Sequence, residues 1–67
     1  MAMFHFKEVS ELHQYSKFSA QPQHGTQVWE VIGQDQQQTQ VIAEGFQNQR
    51  YATLFVELCE CVTGKKG

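Results

Sequence analysis

Asn48-Gln49-Arg50-Tyr51-Ala52-Thr53-Leu54-Phe55-Val56-Glu57-Leu58-Cys59-Glu60-Cys61-Val62-Thr63-Gly64 is the stretch on which the fold turns. Apolar residues recur at Tyr51, Leu54, Phe55, Leu58 and Val62, the spacing of one helical face. Asn48 is a good N-cap, because its short side chain can accept a backbone N–H of the first turn. Gly64 suits the left-handed residue that ends a helix, and Lys65 and Lys66 follow where the helix dipole favours cations. The spacing therefore predicts a long C-terminal helix whose five-residue apolar face is buried, each side chain contributing about 1.5–3 kcal/mol before chain entropy is charged.

Immediately upstream stand two strand-like runs. Gln27-Val28-Trp29-Glu30-Val31-Ile32 is rich in β-branched and aromatic residues, and Thr39-Gln40-Val41-Ile42-Ala43-Glu44-Gly45-Phe46 follows a polar connection over residues 33–38. An antiparallel hairpin leading into the helix is the simplest arrangement. Gly45 inside the second run marks a bulge, or a close approach of the helix backbone.

The first third is less regular. Val9, Leu12, Tyr15 and Phe18 recur every three residues, which fits a short helix imperfectly, with Ser10 as its cap. Phe4 and Phe6 alternate around His5, so residues 3–6 read as a short strand that would help a marginal two-stranded sheet. Ser19 to Thr26, with Pro22 and Gly25, reads as a loop. The expectation is one small α+β domain over residues 1–67: an N-terminal helix with a short strand before it, an antiparallel hairpin, and a long C-terminal helix packed on the sheet. Residues 65–67 read as a flexible tail.

Strict alternation along the hairpin puts several apolar groups on each of its faces. If Glu30 and Glu44 mark the outer side, Val28, Ile32, Ile42 and Phe46 surround them, while Trp29, Val31, Val41, Ala43 and Gly45 face inward. A small sheet with helices on one side should leave its other side polar. The outer set Val28, Glu30, Ile32, Ile42, Glu44 and Phe46 is therefore a candidate contact surface. Alternatively the helices cover opposite faces, or the N-terminal segment folds over this one. Whether Trp29 is core or contact is open.

A chain of 67 residues has room for one modest core, near the limit at which burial offsets chain entropy. Five Lys and Arg against seven Asp and Glu, a net charge of −2, disfavour nucleic acid, whose partners present a basic stripe. Lys7, Lys17 and Arg50 are scattered. The many glutamines make the surface polar without charge. No run approaches the roughly 20 apolar residues of a membrane span, and the start lacks both the basic and the apolar parts of an export signal, so the expected compartment is the cytoplasm.

Chemistry is sparse. Cys59 and Cys61 lie two apart, about 200° around a helix, so they cannot converge on one metal ion; buried or half-buried structural thiols are expected, with Cys59 packed beside Phe55 and Val56. His5, His13 and His24 have no ligand spacing, and Glu57 with Glu60 reads as a solvated stripe or a small acidic patch for a basic partner. No phosphate loop or nucleophile elbow occurs. No catalytic residue, metal site or cofactor is expected. The function expected is a non-catalytic protein–protein interaction module, a small inhibitor or adaptor working through the sheet face, with a homodimer among the arrangements considered. The alternative is a nucleic-acid-associated small protein using Arg50, Lys65, Lys66, Trp29, Phe46 and Tyr51, since aromatic stacking can supply binding where charge does not.

Overall fold

The structure is a computed structural model and describes residues 2–65. Its elements are β1 (Met3–Phe4), a 3-10 helix (Val9–Gln14), β2 (Lys17–Pro22), β3 (Trp29–Gln34), β4 (Thr39–Phe46) and α1 (Gln49–Thr63). The strands form one antiparallel sheet in the order β1-β4-β3-β2, and α1 packs mainly on β2 and β3. The α+β class, the central hairpin and the C-terminal helix match expectation. Two parts of the expected architecture do not.

First, no N-terminal α-helix forms. The segment is a single 3-10 helix, and the recurrence at Val9, Leu12 and Tyr15 is the three-residue period of that geometry. Its N-cap is Glu8 rather than Ser10. The Glu11 carboxylate reaches back to accept from the backbone N–H groups of Lys7 and Glu8 at 3.1 and 3.0 Å. Leu12 and Tyr15 point into the core while Val9 stays half-exposed.

Second, the first half of the segment read as a loop, Ser19 to Pro22, is strand. β2 pairs with β3 in unbroken register from Lys17↔Gln34 to Pro22↔Trp29, so the hairpin is the centre of a four-stranded sheet. Ser19, Ala20, Gln21 and Pro22 have little intrinsic strand preference; β3 supplies the pairing. Pro22 is tolerated because β2 is an edge strand and ends there. The remaining turn closes through the Gln23 N–H to the Val28 carbonyl (2.9 Å), with Gly25 at φ +77°.

β4 carries eight residues against six in β3, and the surplus is absorbed by two bulges. Trp29 pairs with Phe46 but Glu30 with Glu44, leaving Gly45 as an extra residue at φ +87°; Val31 pairs with Ala43 but Ile32 with Val41, leaving Ile42 extra. Each bulge shifts the alternation by one. Val41 therefore faces out beside Ile32, whereas Ile42 and Phe46 turn into the core with Ala43. The bulge read at Gly45 is present. The one at Ile42 has no glycine to announce it.

The core consists of Leu12, Tyr15, Phe18, Val31, Ile42, Ala43, Phe46, Ala52 and Cys59, with Trp29 partly buried against it. Tyr15 sits on Gly33, its ring edge-on to Phe18 and its hydroxyl donating to Gln40 Oε1 at 2.7 Å. The helix termini follow the sequence: Asn48 Oδ1 accepts from Tyr51 N (3.1 Å), and Gly64 is left-handed at φ +72°. Lys65, read as tail, is held: its ammonium donates to the carbonyls of His13 (2.5 Å) and Tyr15 (2.7 Å), tying the end of α1 to the 3-10 segment. The rest of the expected tail, residues 66 and 67, lies outside the described residues.

Candidate interaction surface

The six residues expected to form an outer contact face are not one surface. Glu30 and Glu44 are paired across the outer side, Ile32 lies beside Val41 there, and Val28 is half-buried at the approach to β3. Ile42 and Phe46 are in the core, at 2 % and 9 % exposure, because of the two bulges. What remains on the outer side is one row, Ser19-Ile32-Val41, in which Ile32 is itself only 7 % exposed, and a second row, Gln21-Glu30-Glu44-Met3, polar except for the exposed Met3. Two carboxylates directly opposite each other repel. Neighbours relieve this: Gln21 Nε2 donates to Glu30 (2.5 Å), and His5 Nε2 and Gln23 Nε2 bond Glu44, holding its carboxyl below the usual range. The excess of apolar residues on the hairpin is thus absorbed inside, and this face is mostly polar.

The exposed apolar surface lies elsewhere, on α1. Tyr51, Leu54, Leu58 and Val62 are 52, 53, 56 and 40 % exposed. These are four of the five residues expected to be buried; only Phe55 packs against the core. The helix instead docks through Ala52, Val56, Cys59 and Thr63, a second stripe at the same helical spacing. Small side chains there let the helix approach a sheet whose core space is already filled by Tyr15, Phe18 and Phe46. This second stripe was visible in the sequence, but its small and polar members are weaker signals than two leucines and a tyrosine.

At 100° per residue the two stripes merge into an apolar arc of roughly 200° around α1, part of it under the core and part facing outward. Phe55 sits at the join. Its ring stacks on Phe4 (5.4 Å between centroids) and tilts against Phe46 (5.5 Å), and Phe4, on edge strand β1, is itself half-exposed. The outward patch thus runs from the helix across Phe55 to the sheet edge. Arg50, Thr53 and Glu57, all exposed, border its far side.

The two thiols of this helix differ sharply. Cys59 is buried and its pKa is pushed up to about 11, chiefly by burial and then by the nearby Glu60 carboxylate, so it stays protonated at neutral pH. Cys61 is exposed at the margin of the apolar patch. A thiol reagent at pH 8 is expected to label one cysteine per native chain within minutes and the second only on unfolding. Mass spectrometry of the digested adduct should place the first label on Cys61. Early labelling of Cys59 would contradict the packing of α1.

Among the described residues no group of three or more His, Cys, Asp or Glu could hold a metal, and no helix is long and apolar enough to cross a membrane. Compared with family models, with curated proteins and with solved structures, the chain gives no match.

Proposed function

We propose that this chain is a non-catalytic protein–protein interaction module, of the small inhibitor or adaptor class, and that it docks through the outward face of α1. One observation carries the reading: Tyr51, Leu54, Leu58 and Val62 form a contiguous apolar stripe on a capped, well-anchored helix, rimmed by polar residues. Such faces are a common means of helix-mediated recognition, and large exposed apolar patches on small domains mark contact sites. The sheet face is the weaker candidate, since its outer rows are mostly polar. Of the residues that suggested nucleic-acid contact, Phe46 is buried, Lys65 is bonded to backbone carbonyls and Arg50 stands alone at the rim.

The experiment is a comparative capture with tagged wild-type chain and the Leu54→Glu/Leu58→Glu variant, each from nuclease-treated and untreated extract of the encoding organism. Both leucines are more than half exposed, so the variant is expected to unfold within about 1 kcal/mol of the wild type. A specific protein held by the wild type, lost with the variant and indifferent to nuclease supports the reading. Equal retention by both baits moves the contact off α1. Dependence on nucleic acid overturns the module as described.

A further inference from the structure

Deepening that reading, we propose that the outward face of α1 is occupied by a second copy of this chain, the two helices packed antiparallel about a two-fold axis that passes between Leu54 and Leu58.

The spacing is the first argument. Tyr51, Leu54, Leu58 and Cys61 are separated by three, four and three residues, the seam of a two-heptad helix pair. α1 has 15 residues, about 22 Å, enough to display both heptads. In an antiparallel pair with this axis, Leu54 of each copy meets Leu58 of the other, and Tyr51 meets Cys61.

Geometry permits the approach. At 100° per residue Leu54, Leu58 and Cys61 point roughly 130–170°, and Tyr51 roughly 105°, from the mean direction of Ala52, Val56 and Cys59, which face the sheet. The seam is therefore directed away from the body of the domain, and a second helix can seat without meeting the sheet.

The area suits a weak pair. Tyr51, Leu54, Leu58 and Val62, each 40–56 % exposed, with exposed Cys61 beside them, present on the order of 400 Å² of apolar surface per copy. Two copies bury on the order of 800 Å² of it, close to the lower bound for a specific interface. A chain this short gains correspondingly from association, one of the few routes by which small domains without disulfides or metal are stabilised.

Charge selects the occupant. The seam itself is uncharged, and the side of α1 beside it carries Arg50 toward one end and Glu57 and Glu60 toward the other. A partner of one strong sign would meet like charge at one end of this rim. A second copy running antiparallel instead brings Arg50 to within about five residues along the axis, roughly 7–8 Å, of the second copy's Glu57 on the same flank, within an arginine's reach. The opposed helix dipoles agree with this direction.

Sedimentation equilibrium of the full chain from about 5 to about 500 µM tests the proposal. The expected mass is twice 7.7 kDa with a dissociation constant in the micromolar range, and Leu54→Glu/Leu58→Glu is expected to weaken association at least about 100-fold with unchanged helical circular dichroism. Direction is read by oxidation. Tyr51→Cys should give a dimer covalently linked to Cys61 of the second copy, while the wild type, its Cys61 residues about 15 Å apart along the axis, should not cross-link. A wild type that is monomeric at the highest concentration, a dimer that survives the double substitution, or ready Cys61–Cys61 linkage in the wild type overturns the proposal. A monomer that nonetheless captures a protein through Leu54 and Leu58 overturns this inference and leaves the interaction module standing.

Discussion

Ile42→Ala is expected to lower the unfolding free energy by about 3–4 kcal/mol, most of what a domain of this size possesses. Ile42 is among the largest fully buried side chains, at 2 % exposure, and it stands at a bulge between Val41 and Ala43. Removing three carbons deletes their transfer free energy and leaves a cavity that a two-layer core with few movable neighbours cannot close. Urea denaturation followed by Trp29 fluorescence and by far-ultraviolet circular dichroism measures the change. The same experiment distinguishes the bulged strand from a regular one. In a regular β4, Ile42 would sit outside beside Glu30 and Glu44, and its truncation would cost under about 0.5 kcal/mol. Phe46→Glu follows the same logic more severely. It would put an unpaired carboxylate into the aromatic contact between Phe46 and Phe55, so it reports on folding rather than on association.

The second large effect is Gly33→Val, expected to cost about 3 kcal/mol or more and to leave the chain largely unfolded near 37 °C. Gly33 has an ordinary extended backbone and is a glycine for reasons of space. A Cβ there would lie 2.7–2.9 Å from Cγ, Cδ2 and Cδ1 of Tyr15. That ring cannot swing aside, since Phe18 meets it edge-on and its hydroxyl is bonded to Gln40. Strand propensity alone predicts the opposite sign, because Val is among the best residues for a central strand and Gly among the worst. A thermal melt of Gly33→Val therefore sets local preference against tertiary packing. A melting temperature equal to or above that of the wild type would mean that Tyr15 does not pack on β3.

Both effects bear on where function can reside. Packing of Ile42 and Phe46 inside makes the outer side of the sheet mostly polar. Packing of Ala52 and Cys59 under the core leaves the bulky half of α1 to solvent. Substitutions at Leu54 and Leu58 should then separate association from folding, a separation unavailable at Phe46.

What the sequence determined by itself is what depends on neighbours in the chain. Asn48 and Gly64 delimit α1 because a side-chain acceptor and a left-handed residue act on backbone groups within one turn. Thr39–Phe46 was legible as a strand over its full length, and Gly45 as an irregularity, because strand preference and glycine's freedom at φ +87° are local properties. What only the tertiary structure decided depends on groups distant in the chain. β2 exists because β3 offers it hydrogen bonds, not because Ser-Ala-Gln-Pro favours extension. The bulge at Ile42 follows from matching eight residues of β4 to six of β3 while keeping Val31 opposite Ala43. The side of α1 that is buried could not be read from periodicity, because the apolar arc spans more than half the helix and period alone does not say which part faces the sheet. Steric room under the helix chose Ala52 and Cys59, and the larger Tyr51, Leu54 and Leu58 were left outside, where a partner can reach them.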